Sequence, residues 1–397
     1  MAPNAFVRER RLPLPRLVAF LVNAPRAGLQ SELDAFFDHA LGSSEARPVS
    51  KSALCQARRQ LRPAALRELM AHSGRIFATH SQVPQWHGRR VLALDGSTLR
   101  VPDVPECAEV FGGMNTSCGR FRPLARASAL LDVARGAFVD AALGGFGEDE
   151  RTLARQHLPH LGPQDLLLMD RGYPSREWFA ELVARGVAFC ARISERIWSV
   201  VARFARGRRN DAVADLGTPG APLPLRLLRV KRPDGSRLVM VTNLFDKTLD
   251  PETFADLYRT RWRIEEAFKL IKARLQVENW SGILPHTVEQ DFYASLLRAN
   301  CAAVLALAVR PEDAALSADT PLDGSRWRQR LNRTLALKSL RHYLPRLLLA
   351  IDLVRVLDLL VERLRSPTAV ERTRPLRSAP RHKGVRIADF HFGYKAA

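Results

Sequence analysis

Three places in this chain put carboxylates where they can do chemistry. Leu92-Ala93-Leu94-Asp95-Gly96-Ser97-Thr98 sets an aspartate at the end of a short apolar run. Leu166-Leu167-Leu168-Met169-Asp170-Arg171-Gly172-Tyr173 does the same. Asp after a strand and before Gly is ordinary turn chemistry, so each motif taken singly specifies only a turn. The pair says more. In α/β folds ligands gather at the carboxyl ends of strands, and two carboxylates there suit Mg²⁺, which completes its shell with water and substrate phosphates. The third place is a helical pattern carrying Tyr258, Arg261, Glu265 and Lys272. At about 100° per residue the four fall within roughly 60° of one another, while Glu266 lies off that stripe. Geometry therefore selects Glu265 over its neighbour. A phenol, a carboxylate and two cations on one stripe make a poor core face and a good phosphate-and-metal face, although Arg261 and Glu265 also have the spacing of a plain surface ion pair.

The elements that must position these groups can be read from periodicity. Arg90–Leu94 reads as a buried strand ending at Asp95, with further strands at 127–133 and 137–143 joined by an Arg135-Gly136 turn. Residues 148–161 read as helix, 165–169 as a strand ending at Asp170, 175–185 as helix and 187–193 as strand. Antiparallel strands followed by strand–helix alternation imply a mixed α/β layer fold. Residues 196–245, punctuated by Thr218-Pro219-Gly220 and Pro233-Asp234-Gly235, read as a β-rich insertion. A single helix is expected from Pro251 to about Leu275, and apolar helices over 289–311 and 345–365. Residues 1–85 read as a helical N-terminal domain in which Ser50 caps a helix carrying Lys51, Arg58 and Arg59. That helix could serve for DNA reading, although its spacing alone points rather to a solvated bundle face. The expected division is 1–85, a core in two parts (86–195 and 246–365) split by the insertion 196–245, and a basic Pro/Ser-rich tail over 366–397.

Charge names the class of partner. With 61 Lys+Arg against 41 Asp+Glu in 397 residues, the chain carries +20 at pH 7, which expects a polyanion such as nucleic acid. Only eight of the basic residues are Lys. Arg is the better phosphate fork, but codon usage explains the same excess. Five scattered cysteines, none in a C-x-x-C pair, argue against a zinc ribbon or disulfide scaffold and suit a reducing cytosol. Leu17–Ala24 reads as an amphipathic helix rather than an export signal, because Pro13, Pro15 and Arg16 interrupt its entry. Ala299–Val309 is too short an uncharged run to span a bilayer, so no membrane association is expected.

With these residues in place, the chain resembles bacterial insertion-sequence transposases of the DDE class, the group marked by a Y-R-E-K signature (the insertion-sequence-four family). Tyr258, Arg261, Glu265 and Lys272 match the signature, and Asp95 and Asp170 resemble the family's two metal-binding aspartates. Thr242-Asn243-Leu244 and the opening Phe6–Pro13 are family-like too, and Trp262 resembles an aromatic found beside the signature Arg. The resemblance implies an RNase H-like core with a β-rich insertion. It also implies a catalytic triad of Asp95, Asp170 and Glu265 holding two Mg²⁺ ions, with Mn²⁺ substituting. Tyr258, Arg261, Lys272 and Trp262 would contact DNA, and a homodimer would bring two terminal inverted repeats together with target DNA. A metal-dependent nuclease that does not join strands, and a domesticated DNA-binding protein, are the alternatives.

Overall fold

Alternation along one strand sets the architecture. In β1 (Arg90–Arg100) Val91 and Ala93 point into one apolar cluster and Leu92 and Leu94 into another, all four at most 1% exposed. A strand buried on both faces needs helices on both faces. The computed structural model describes residues 6, 11–23, 28–41, 49–232, 234–310, 328–366 and 369–373. The remaining strands of the main sheet are β2 (Gly113–Asn115), β3 (Phe121–Asp132), β4 (Ala137–Gly145), β5 (Asp165–Met169), β6 (Ala188–Arg192), β7 (Asp211–Asp215), β8 (Pro224–Lys231) and β9 (Arg237–Thr242). Their order is β2-β3-β1-β5-β6-β9-β8-β7, and β4 shares the outer edge of β3 with β2. β1, β5 and β6 run parallel to one another, and every other pairing is antiparallel. The path β4-β3-β1-β5-β6 is an antiparallel meander followed by two parallel strands, which is the RNase H-like order. Residues 196–245 contribute one helix and three strands, and β9 pairs directly with β6, so this segment widens the same sheet.

The helices are α1 (Leu14–Val22), α2 (Leu29–Leu41), α3 (Lys51–Gln60), α4 (Pro63–His80), α5 (Pro105–Phe111), α6 (Glu150–Arg155), α7 (Arg176–Ala184), α8 (Ser199–Arg206), α9 (Pro251–Arg259), α10 (Trp262–Lys269), α11 (Pro285–Val309), α12 (Arg333–Leu348) and α13 (Leu353–Arg365). A small hairpin, β10 (Arg328–Leu331) with β11 (Val370–Thr373), lies apart from the main sheet. Ser50 caps α3 by accepting from the Ala53 amide at 3.2 Å, as the sequence predicts, a contact worth about 1 kcal/mol. Leu17, Leu33, Leu54 and Leu66 of the N-terminal helices share one hydrophobic cluster with Val91, Ala93 and Leu131 of the sheet. α11 is long and apolar enough to cross a membrane by composition. Here it is a core helix. Its Arg298, 1% exposed, donates to the Asn23 and Leu337 carbonyls, and its Asn300 donates to Phe138 O and accepts from Phe138 N.

Several boundaries differ from the sequence reading, among them β3, which starts at Phe121, and α11, which starts at Pro285. β1 does not stop at Asp95 but runs on to Arg100, paired with β3 throughout. The helix expected over 148–161 breaks after Arg155 and resumes as a single 3₁₀ turn at Leu158–His160. The helix expected over 251–275 is three pieces: α9, α10 and a π-helical turn at Leu270–Arg274. The 345–365 stretch is the end of α12, with Pro345 inside it, and then α13, which restarts after a left-handed Asp352 (φ 47°). Most of the Arg-rich tail, and residues 7–10 of the family-like opening, lie outside the described residues.

Candidate active site

Strand register brings the two aspartates together. β1 and β5 pair in parallel with Arg90 opposite Asp165 and Ala93 opposite Leu168, an offset of 75 residues. Extending that offset two places puts Asp95 level with Asp170, just where the two strands diverge. Each carboxylate is steadied by its own loop. Asp95 Oδ1 accepts from the Gly96 amide at 2.9 Å, and Asp170 Oδ1 accepts from the Gly172 amide at 2.8 Å. Glu265 arrives from α10, whose Ile264 and Phe268 are buried in the core. Asp95, Asp170, Glu265, Lys269 and Lys272 then line one open cleft of about 470 Å³, with Ser97 at its rim.

The extra length of β1 explains how α10 is held there. Beyond Asp95 the strand acts as a rail. Lys272 Nζ donates to the Thr98 carbonyl at 2.5 Å. Glu278 accepts from the Arg100 amide and guanidinium at 2.8–3.1 Å, and the Trp280 indole donates to Arg100 O at 2.9 Å. The helix itself departs from uniform geometry on both sides of Glu265. Asp250 caps its start, accepting from Thr253 N, with Pro251 at the first position. At Thr260, Arg261, Arg263 and Ile264 the amides bond three residues back, as in 3₁₀ geometry, and at Leu275 the amide bonds five back, as in a π-turn. Such π-turns recur at functional sites. The single stripe drawn at 100° per residue is therefore corrected. Glu265 and Lys272 reach the cleft, whereas Tyr258 is 9% exposed and lies beneath the Arg261 guanidinium, 5.8 Å from it. Glu266 and Trp262 line a separate cavity, where Lys269 Nζ sits 4.4 Å from the Trp262 ring centre.

Arg261 does not face outward as a free phosphate grip. Its Nη1 donates to Asp95 Oδ2 at 3.3 Å and its Nη2 to Glu265 Oε1 at 2.5 Å. The guanidinium thus bridges two of the three acids. Even so, Asp95 is poorly compensated. Burial, opposed by Arg261 and the Gly96 amide and reinforced by repulsion from Asp170 and Glu265, pushes its carboxyl up to about 6. Burial also raises the Tyr258 phenol to about 12 and outweighs the nearby Arg261.

Three carboxylates converging on a cleft, one of them short of positive charge, are the hard oxygen donors that Mg²⁺ or Mn²⁺ selects. Among the described residues no three His, Cys, Asp or Glu side chains stand close enough to share an ion as they lie. The donor chemistry fits a divalent cation, and closing on one requires Arg261 to give way.

The DNA-facing residues expected on α3 divide. Lys51 and Arg59 are exposed. Arg58 is not a DNA contact: it is 2% exposed and donates to Gln290, Ser281, the Thr287 carbonyl and Asp291 at 2.7–3.2 Å. It faces inward because it shares the buried face of α3 with Leu54. The sequence reading also passed over Glu150 and Tyr173, both of which adjoin the acids. Tyr173 stood inside the Asp170-Arg171-Gly172-Tyr173 motif and was legible there. Glu150, in a helix of six residues, gave no signal.

Residues 86–301 match the family described as the transposase DDE domain. The match covers more than half of the chain, and the chain belongs to that family. It is 27% identical over 325 residues to the transposase InsG of insertion sequence element IS4 of Escherichia coli K12, covering 74% of this chain and 70% of InsG. It is also 27% identical over 190 residues to the putative transposase InsZ of the same strain, covering 47% of this chain and 62% of InsZ. A solved piggyBac transposase synaptic complex with hairpin DNA aligns at a TM-score of 0.45 and 12% identity, over 92% of this chain and 79% of that one. That likeness is too loose to support statements about residues.

Proposed function

For this member of the transposase DDE-domain family, we propose that it cuts DNA at the ends of an insertion sequence and joins those ends to target DNA, with Asp95, Asp170 and Glu265 holding the divalent cations the family requires. The observation that carries this reading is the convergence of the three carboxylates, from two neighbouring strand ends and one helix, on a single cleft rimmed by Lys269 and Lys272. Bound Mg²⁺ supplies an activated oxygen nucleophile and charge stabilisation for an in-line displacement at phosphorus. The protein's own groups do the rest. Asp95 and Asp170, each tied to a backbone amide, fix the floor of the site. Arg261 releases the acids and turns its fork to a DNA phosphate, the bidentate geometry for which guanidinium is suited, while the Tyr258 ring beneath it keeps the guanidinium plane aligned. Lys272, anchored at Thr98 O, brings positive charge to the same rim.

Exposed Lys51 and Arg59 on α3 extend the phosphate-binding surface, and two copies pair the two ends. The work is placed in the bacterial cytoplasm, on chromosomal DNA. The test is Mg²⁺-dependent cutting of DNA carrying the element's own terminal repeats. Wild-type protein cuts and transfers the freed 3′ end, and Asp170→Asn binds the same DNA without cutting it. Cutting by Asp170→Asn sinks the assignment, and cutting without end joining reduces the protein to a nuclease.

A further inference from the structure

Tyr173 presents an anomaly. Its side chain is fully buried, at 0% exposure, yet its hydroxyl has no hydrogen-bond partner among the described residues. An unpaired buried hydroxyl is destabilising, and phenylalanine would pack the same ring without it. The charged groups that act on this phenol are Asp95, Glu150 and Asp170, with Arg261 opposing them. A phenol is protonated at neutral pH and so able to donate.

Two glycines show what the hydroxyl faces. A Cβ on Gly96 would stand 3.6 Å from Tyr173 Oη and 3.7 Å from Glu150 Cδ. A Cβ on Gly172 would stand 3.1 Å from Asp170 Oδ1 and 3.3 Å from Glu150 Oε2. The missing side chains leave a lane between the two aspartate loops, with Glu150 over it. Glu150 is held from behind. Arg126 Nη1 donates to Oε1 at 2.9 Å, and Arg126 is itself fixed by donating to the Phe146 carbonyl. The other oxygen, Oε2, is the one turned toward the lane.

We propose that the acid site has a fourth carboxylate, Glu150, and that the buried Tyr173 hydroxyl is the donor that orients it toward a divalent cation in the lane. This rests on reading Asp95, Asp170 and Glu265 as a cation-binding set. Tyr173 is then a positioning residue, and its hydroxyl gains an acceptor when the carboxylates close around an ion. Groups of this kind, set behind or beside metal ligands, typically change metal affinity by about 10–100-fold when removed.

The test uses full-length protein without DNA, Mn²⁺ as the probe and calorimetry as the readout, with melting temperature measured separately in chelator. Tyr173→Phe and Glu150→Gln each weaken Mn²⁺ binding roughly tenfold or more. The double variant is no weaker than the weaker single, because the two groups act as one unit. Metal-free Tyr173→Phe melts at or above wild type, since it sheds an unpaired hydroxyl. The Glu150 side chain is 39% exposed, so its variant folds and reports even if Tyr173→Phe does not. Mn²⁺ affinity within about twofold of wild type in either single variant, while Asp170→Asn loses binding, overturns the proposal, as do losses that simply add. Wild-type binding by Asp170→Asn brings down the underlying acid-site reading, and this extension with it.

Discussion

Two arginine–acid clusters sit on the same sheet, and they are built to opposite ends. In one, Asp140 of β4 takes the Arg67 fork at 3.0 and 2.7 Å and His157 Nδ1 at 2.7 Å, and His157 Nε2 lies 3.0 Å from Ser128 Oγ. Asp140, His157 and Ser128 are all at most 1% exposed. Burial disfavours the charge on Asp140, but the hydrogen bonds from His157 and Arg67 outweigh it and hold that carboxyl far below its usual range. In the other, Arg261 must serve Asp95 and Glu265 at once, Asp170 adds repulsion, and the Asp95 carboxyl is driven up instead. The first cluster satisfies its charge within the protein. The second is left short of cation and open to solvent, as a group is when it waits for a partner from outside.

The largest effect on the closed cluster should come from Asp140→Asn. It leaves buried His157 and partly exposed Arg67 without their acid and should lower stability by about 3 kcal/mol, measured by denaturant unfolding. Because the Asp140 carboxyl sits below its unfolded value, its stabilising contribution is present above the unfolded value of about pH 4 and is lost as pH falls from there through the depressed folded value. The gap between wild type and variant should therefore narrow in acid. A gap independent of pH would show that packing, not charge, holds this cluster.

Arg58→Ala should come next, at on the order of 3 kcal/mol, because it leaves Asp291 and Gln290 without their buried partner. Its neighbour provides the contrast. Arg59→Ala and Lys51→Ala should change stability by less than about 0.5 kcal/mol, yet each should lower the salt slope of DNA binding by about one. Equal salt slopes for the Arg58 and Arg59 variants would erase the distinction. The smallest effect belongs to Ser128→Ala. Although Ser128, His157 and Asp140 have the contacts of a nucleophile triad, no substrate reaches them, and cleavage per folded molecule should stay at the wild-type rate. Loss of cleavage in this variant would make the buried cluster functional after all.

The sequence carried the open cluster better than the closed one. Asp95 and Asp170 were legible because each ends an apolar run and meets a glycine, and Glu265 because Glu266 falls on another face. What periodicity could not supply was the shape of the signature helix, with its tight turn at Arg261 and its π-turn at Leu270–Arg274, from which Lys272 reaches Thr98 of β1. Arg58 was misjudged for a related reason. An arginine on an amphipathic helix reads as solvated until its four partners, all more than 220 residues away, are in view. The closed cluster left no trace, because residues 67, 128, 140 and 157 share no spacing.

The most direct measurement sets Glu265→Gln beside Glu266→Gln in one assay of Mg²⁺-dependent cutting at the element's ends, with DNA binding recorded for both. The two residues are adjacent in sequence, but only Glu265 lines the cleft with Asp95 and Asp170. Glu265→Gln should bind the ends and lose cutting by at least about a hundredfold, the scale of removing one transition-state contact, while Glu266→Gln cuts as wild type does. Undiminished cutting by Glu265→Gln, or equal losses in both variants, would contradict the account.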